Sequence, residues 1–545
     1  MNATVEGRSR AGLVRSSAAV ATGTLLSRIT GLLRVVVLAA VVGKATLADT
    51  YNLANTTPNI VYELLVGGVL AATLVPVFVD LLQKNDERST SAVFTVALSA
   101  LAIFTAATML LTPLLARLFA IDTSGAERSA QLHVLTVFIL CFVPQMFFYG
   151  FTTLATALLN AHRRFVAAAF VPILNNLVVI TVLLVFAERT SGRHAAITDA
   201  VRVRDDLGLL LLLGLGTTAG IVAMALALVP ALWHARIRLR PVFEWRNPAL
   251  RLIVRLSGWT AGYVITNQAA QLFILVLAKS GSEGGVSAYV YAFTFYVVPY
   301  GLIAVSIMTT MTPELARRAT GNDMPGLRRD FGAGLRYILV LMVPASLLFT
   351  ILAQPMLGVI VRDQFSAHDA RVTADVLQVF ALSLVPFSVY LYVMRGFYAL
   401  HDTRTPFFLN VLENALNIGI AIAVFGALDV QGLALAWGIA YTVAAVAALL
   451  AFRHRVGHVP DAASARTAVR AVIAGAALAL VTAPLAGAIG DATAKRALTA
   501  TVVAGLAGAA AYLLALVAMR SEELGSLIAL VRNRGLRTAN VEAQT

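Results

Sequence analysis

Residues 16–42 read SSAAVATGTLLSRITGLLRVVVLAAVV, an apolar run carrying Arg28 and Arg34 within it. A bilayer core about 30 Å thick takes roughly 20 apolar residues per helix, so the run is long enough to cross one. Arg8, Arg10 and Arg15 precede it like the head of a signal peptide. No small-residue cleavage site closes the run, so it reads as a retained first span. Arg28 lies about twelve residues, or roughly 18 Å, beyond Ser16, too deep for its side chain to reach the near interface. An arginine there costs about 2.5–3.5 kcal/mol even on the lenient insertion scale, so it is expected to face a cavity or the bundle interior. Arg34 sits nearer the far end, and Thr24, Ser27 and Thr30 add hydroxyl groups beside the pair.

The rest of the chain repeats the pattern. With 59% hydrophobic and 13% charged positions over 545 residues, a water-soluble fold is excluded. Apolar stretches bounded by charge predict helices near 16–42, 51–81, 91–119, 131–158, 166–187, 207–233, 252–279, 286–313, 332–361, 372–400, 406–428, 430–452, 468–489 and 496–519. The expected fold is therefore an all-α integral membrane protein of about 14 transmembrane helices.

The net charge of +14 comes from Lys and Arg in the connections. That placement suits orientation and lipid headgroups, and no nucleic-acid partner is expected. The cations concentrate in alternate connections, such as Arg236 to Arg255 and Arg317 to Arg336. Both termini are accordingly expected on the cytoplasmic side. The single cysteine, Cys141, excludes an intrachain disulfide or a Cys-rich metal site.

A shift of 242 residues lays Val143-Pro144 on Val385-Pro386, Ala157-Leu158 on Ala399-Leu400, Phe165 on Phe407 and Asn175 on Asn417. Six spans separate the copies, so both have the same topology. Parallel repeats of this kind form two bundles around an axis normal to the membrane, with the substrate path between them. The expected parts are an N-lobe at 1–233, a cytoplasmic linker at 234–251, a C-lobe at 252–452, two extra helices at 453–519 and a polar tail at 520–545.

Polar groups inside spans mark the candidate sites. Asp49, Asn52, Asn55, Asn59 and Glu63 recur at steps of three and four along one helical face, with Pro58 inside and Gly67-Gly68 after. Such a stripe lines water or bonds helices together in a dry bundle. Asn410, Glu413, Asn414 and Asn417 in one span, and Asn267, Gln268 and Gln271 in another, offer hard oxygen donors around one carboxylate. They suit Na⁺ or a proton, or neutral bonding between helices. Residues 214–219, GLGTTA, fit a dinucleotide fingerprint by letter but sit inside a span with no strand before them. Walker A and HExxH sequences are absent, and no cofactor is expected beyond Na⁺, H⁺ or the membrane potential.

Ser27-Arg28-Ile29-Thr30-Gly31-Leu32-Leu33-Arg34, Gly43, Asp49, Ala54-Asn55, Pro58-Asn59, Gly68, Val75-Pro76 and the turn Phe397-Tyr398-Ala399-Leu400-His401-Asp402-Thr403-Arg404-Thr405-Pro406 together resemble the MurJ (MviN) family of lipid II flippases, within the MOP exporter superfamily. The likeness runs over almost the whole chain. It implies two pseudo-symmetric six-helix lobes plus two C-terminal helices, and a cationic central cavity for the pyrophosphate and sugar-peptide head of lipid II. It further implies a groove near the last two helices for the undecaprenyl tail, a place in the bacterial cytoplasmic membrane, and contact with cell-wall synthesis machinery. No catalysis is expected. Carried over residue by residue, Arg28 and Arg34 are head-group ligands, Asp49 a gate partner, and Pro58-Asn59 a cavity-lining bend; Ser27, Asn52, Asn55, Glu63 and Thr294 join the cavity set. Departures from the family pattern reduce its positive charge: Val35 replaces an Asp, Tyr62 and Glu63 an arginine pair, and Thr294 a cavity arginine. The alternative is a relative in the superfamily that exports another polyprenyl-linked glycan or cationic drugs.

Overall fold

The computed structural model describes residues 2–63, 71–119, 125–162, 164–190, 203–362 and 364–525. Gly67-Gly68, Arg163, the middle of the mixed-charge loop before Asp206 and the tail beyond residue 525 lie outside these, as do the side chains of Arg8, Arg10 and Arg15. The described residues are mostly helical, relieved by turns, by a non-helical connection at 237–244 and by one antiparallel bridge between Arg362 and Phe365. Hydrocarbon offers no partner to a backbone N–H or C=O, so a spanning segment must satisfy its own.

Among the described residues, eleven helices are long and apolar enough to cross a membrane, or twelve if one bent pair is counted as a single span. The expected fourteen is not reached on that criterion. The second expected span is described in two pieces, α2 (Thr46–Glu63) and α3 (Ala71–Gln83), with 64–70 outside the described residues. The eleventh and twelfth expected spans follow one another without a loop, as two helices of the run Arg404–Val456 that meet at Asp429, where φ 49° and ψ −136° are non-helical, at the boundary expected between 428 and 430.

The chain divides into two compact units. The first comprises Met1–Tyr291 with Arg362–Ser366. After α1 (Asn2–Val42), α2 and α3, it contains α4 (Glu87–Leu110), α5 (Thr112–Phe119), α6 (Gly125–Phe142), α7 (Gln145–Ala161), α8 (Phe165–Thr190), α9 (Leu207–His234) and α10 (Pro248–Lys279). Side chains at the connections start these helices: Asp86 accepts from the Ser89 N–H before α4, Asp206 from that of Leu209 before α9, and Asn247 from that of Ala249 before α10. Each satisfies a donor that the first helical turn leaves unpaired. Leu74, Phe78, Val93, Leu154, Leu158 and Leu228 form its buried core. The GLGTTA stretch is a packing surface here, as its place inside a span implies. A Cβ on Gly216 would lie 2.4 Å from Val182, so only glycine lets α9 approach α8 this closely.

The second unit comprises Ala292–Val361 and Ala367–Thr545. It takes up the end of α11 (Gly285–Pro299), a π-helical turn at Tyr300–Ala304, α12 (Val305–Thr320), α13 (Met324–Gly358), α14 (Ala367–Leu382) and α15 (Leu384–Ala399). There follow α16 (Arg404–Val456), α17 (Ala462–Ile489), α18 (Ala494–Thr499) and, after a second π-helical turn, α19 (Gly505–Ala518). The Tyr512 hydroxyl of α19 donates to the Val340 carbonyl at 2.7 Å and ties the last helix to α13.

The internal repeat is visible in where helices stop. The first copy breaks between α6 and α7, at Val143-Pro144. The second breaks between α14 and α15, around Ser383, with a 47° bend. Two copies of one sequence pattern thus interrupt the same span near the same place.

Candidate functional site

Arg28 and Arg34 stand six residues apart on α1, which turns their side chains about 120° from one another. Arg28 is exposed and Arg34 half-buried. Neither belongs to an ion pair among the described residues. The α1 backbone between them is held by Asn176 of α8, whose amide donates to the Ser27 carbonyl at 3.2 Å and to the Thr30 hydroxyl at 3.0 Å. Arg34 lies within electrostatic reach of Tyr51, whose hydroxyl pairs with Thr217 at 2.8 Å. The structure therefore sets two separately aimed guanidinium groups on one braced helix.

The polar stripe of α2 is graded. Asp49 is 2% exposed and Asn52 7% exposed, Asn55 and Asn59 are half-buried, and Glu63 is exposed. At its buried end the first unit joins α2 to the start of α11. Asp49 Oδ1 accepts from the Ser287 backbone N–H at 2.8 Å and from its hydroxyl at 2.7 Å. Asn52 Nδ2 donates to Ser287 Oγ at 3.2 Å. Ser287 lies in the first turn of α11, where N–H groups lack intrahelical acceptors and the helix dipole favours negative charge. Asp49 thus caps a helix other than its own. Beside it, the Tyr291 hydroxyl donates to the Gly43 carbonyl at 3.0 Å and Lys44 Nζ to that of Glu283 at 3.1 Å. Asn55 Oδ1, further along the stripe, is buried without a partner among the described residues. Ser287 and Tyr291 were not among the sequence candidates. The glycine pair before Ser287 is the only local signal of a helix start there.

In the second unit, Asn410, Glu413, Asn414 and Asn417 occupy one face of α16, and all four are buried. Asn414 Nδ2 donates to the Asn410 carbonyl at 2.9 Å. Both Glu413 carboxylate oxygens, and Asn417 Oδ1, have no hydrogen-bond partner among the described residues. A fully buried carboxylate in that state is costly unless it is neutralised. The donor set of carboxylate and amide oxygens fits a hard monovalent cation or a proton. Glu413 also lies within electrostatic reach of Tyr296, whose hydroxyl accepts from Ser383 Oγ at 3.1 Å and from Trp437 Nε1 at 3.3 Å. Phe293, Phe380 and Phe387 pack around that tyrosine, an aromatic cluster the sequence reading did not single out. Thr294, also of this unit, is half-buried on α11 and has partners of its own. Asn267 belongs to the first unit, where it is half-buried on α10.

A family model described as "Lipid II flippase MurJ" matches residues 38–515. A curated relative from Rhizobium meliloti (strain 1021), a "Probable lipid II flippase MurJ", is 29% identical over 432 residues, covering 78% of this chain and 77% of its own. A solved structure titled "Lipid II flippase MurJ, inward closed conformation" aligns with TM-score 0.72 at 19% identity, over 91% of this chain and 99% of that one. An inward-facing MATE transporter of the MOP superfamily aligns at 0.56 with 15% identity, over 80% and 93% respectively. The structural likenesses concern the fold alone, whereas the family match spans most of the sequence. This all-helical, multi-pass membrane protein belongs to the MurJ family of lipid II flippases.

Proposed function

We propose that this chain moves lipid II, the undecaprenyl-pyrophosphate-linked disaccharide-peptide, from the inner to the outer leaflet of the bacterial cytoplasmic membrane by alternating access, without catalysing a reaction. The observation that carries the reading is the pair Arg28 and Arg34, placed within a membrane span and free of ion pairs among the described residues. A diphosphate cannot cross hydrocarbon with its charge unmatched. Guanidinium groups offer it bidentate hydrogen bonds in place of water. Because the two side chains leave α1 in different directions, they engage separate oxygens of the head group rather than clamping one.

The lobes at 1–233 and 252–452 are the moving halves, and both termini are cytoplasmic. Ser27, Asn52, Asn55, Asn59, Glu63 and Thr294 line the path, and Asp49 acts at the gate. Na⁺ or H⁺ held at Asn410, Glu413, Asn414 and Asn417 couples transport to an ion gradient or the membrane potential, with Asn267 of the first unit a separate candidate. What supports the coupling is the bare, buried carboxylate of Glu413. A second reading, export of another polyprenyl-linked glycan or of cationic drugs, draws support from the exposed Glu63 and from neutral Thr294.

The test is complementation of a flippase-depleted bacterial strain, with labelled lipid II scored for exposure on the outer leaflet. Arg28→Ala and Arg34→Ala are each expected to abolish growth and outer-leaflet exposure at normal protein levels, while the lysine variants retain part of both. Normal growth with either alanine variant removes the head-group assignment. Growth with unchanged lipid II exposure redirects the cargo to another polyprenyl-linked glycan.

A further inference from the structure

Between the spans at Leu207–His234 and Ala261–Lys279, residues 235–247 read ARIRLRPVFEWRN. The segment is non-helical and alternates by two. Ile237, Leu239 and Val242 are half-buried, the first two against the core of the first unit, whereas Arg236, Arg238 and Arg240 are exposed. It is tied along the start of α4. Thr95 Oγ1 donates to the Arg240 carbonyl and accepts from the Val242 N–H, both at 3.3 Å. The Arg240 N–H reaches Ser91 Oγ at 3.3 Å, and Asn247 Nδ2 reaches Ser89 Oγ at 3.1 Å. The connection is thus a fixed strap with its arginines turned outward.

The charge on this strap is unanswered among the described residues. Arg246, Arg251 and Arg255 continue the series, and Glu244 is the sole acidic residue between 235 and 260. That carboxylate is taken by Arg88, whose Nε lies 2.6 Å away, and neither the four strap arginines nor Arg251 and Arg255 of α10 have an ion pair among the described residues. Interleaved with them, Trp233, Phe243, Trp245 and Trp259 are exposed, the tryptophans at 72%, 57% and 46%. Beside the strap an open groove of about 360 Å³ runs between α8 and α9, walled by Phe165, Val166, Ala167 and Ala231, with Arg164 and His234 also lining it.

We propose that the strap and this groove seat an anionic phospholipid of the adjoining leaflet, with its acyl chain along the α8–α9 wall and its phosphate against the arginines. The thirteen residues between α9 and α10 leave a span directly at His234 and are pinned against the first unit, which holds them at headgroup depth, where tryptophan rings and cationic side chains are both stabilised. Clustered arginines next to a span recognise anionic headgroups through charge and through bidentate bonds to phosphate. A bilayer surface is the one partner guaranteed to be present there. The assignment concerns the protein's lipid environment and stands apart from the identity of its cargo.

Three of the chain's four tryptophans flank this surface, so their emission reports it. The protein is reconstituted into phosphatidylcholine vesicles in which a fixed fraction of either phosphatidylglycerol or phosphatidylcholine carries brominated, quenching acyl chains. Brominated phosphatidylglycerol is expected to quench about twofold more than brominated phosphatidylcholine, with the excess lost at high salt. The combined variant Arg236→Gln, Arg238→Gln, Arg240→Gln should lose the preference, and the corresponding lysine variant should keep it. Equal quenching by the two lipids in the unsubstituted protein overturns the proposal, as does a preference that survives in the glutamine variant. If the triple variant does not fold, Arg238→Gln alone, exposed and unpaired, is expected to halve the excess; an unchanged excess then overturns it.

Discussion

Asp49 and Ser287, 238 residues apart in sequence, share two hydrogen bonds through one carboxylate oxygen, at 2.8 Å to the backbone N–H and 2.7 Å to the hydroxyl. The pair joins the first turn of α2 to the first turn of α11 within the first unit. Its chemistry is that of a helix N-cap whose acceptor comes from a neighbouring helix.

Removing that acceptor strands two donors. Asp49→Ala is expected to cost about 1–3 kcal/mol, the penalty for leaving a buried group unsatisfied. Asp49→Asn keeps one acceptor oxygen and should fall between wild type and alanine, whereas Ser287→Ala keeps the backbone bond but loses the hydroxyl that joins Asp49 and Asn52, and should cost about 1–3 kcal/mol. Thermal unfolding of the purified proteins in detergent ranks them. The order fails if Asp49→Asn is as damaging as alanine, which would put the weight on charge rather than on hydrogen bonding. Complementation with the same variants then asks whether the link matters to transport.

Gly43 follows α1 with φ +79°, and a Cβ there would lie 2.5 Å from the Gln364 carbonyl oxygen. The segment Arg362–Ser366 packs into the first unit at this place, with the Gln364 N–H reaching the Ala40 carbonyl at 3.3 Å and Phe365 fully buried beside Tyr291. Gly43→Ala therefore combines left-handed backbone strain with a steric clash, for an expected loss of about 1–3 kcal/mol or more. Lowered thermal stability of Gly43→Ala, with Gly419→Ala as a control, checks it. Gly419 has nothing within 4 Å of an added Cβ, and alanine there is expected to leave stability unchanged or improve it.

The membrane class, the polar stripe and the internal repeat were legible because each rests on spacing along one segment. The stripe's Asp49, Asn52, Asn55, Asn59 and Glu63 share a face by helical geometry alone, so any fold containing that helix presents them together. What spacing does not carry is which neighbour covers each position. Ser287 and Asn176 are ordinary polar residues until α11 and α8 come alongside, and nothing local marks them as the partners of Asp49 and of the Arg28 segment. The broken spans have a similar cause. Val143-Pro144 announces its break through proline and Asp429 through a charge between two apolar runs, whereas nothing in the sequence tells that the helices on either side of Asp429 abut without a loop. Arg28 and Arg34 fall within a helix long and apolar enough to cross a membrane, as the run of sequence implies, and their divergence around α1 follows once the helix is continuous through both.

Glu413 makes a sharper test of ion coupling than loss of transport, because its environment is specific. Its oxygens are buried without hydrogen-bond partners among the described residues, so the unliganded carboxylate carries a desolvation cost that an occupied site removes. If Na⁺ is the coupling ion, raising it to about a hundred times its dissociation constant should stabilise the wild type by about 2.7 kcal/mol. Glu413→Gln should lose that response while matching or exceeding the wild-type stability in sodium-free buffer. A wild type indifferent to Na⁺ but sensitive to uncouplers assigns the site to a proton. Indifference to both, in stability and in complementation, removes it from the transport cycle.

The last prediction concerns how the two C-terminal helices are held. Arg336 of α13 lies 3.2 Å from Glu523, just beyond α19, and 3.6 Å from Asp461, the cap of α17. Glu523 also accepts from the Thr467 hydroxyl at 2.6 Å and the Ser521 hydroxyl at 2.9 Å. Burial works to raise the Glu523 pKa, but these hydrogen bonds and the nearby guanidinium hold it below the ordinary carboxylate range. A depressed folded-state value means the carboxylate stabilises the protein above its unfolded pKa and loses that contribution as pH falls through the folded one. The node should therefore weaken only below about pH 4. Glu523→Gln keeps the shape but removes the charge facing Arg336, and is expected to cost about 1–3 kcal/mol at neutral pH, with the difference from wild type shrinking in acid. Unfolding midpoints of both proteins between neutral pH and about pH 3 measure this directly. A gap that stays constant across the range means that the hydrogen bonds alone, and not the carboxylate charge, hold α17 and α19 to α13.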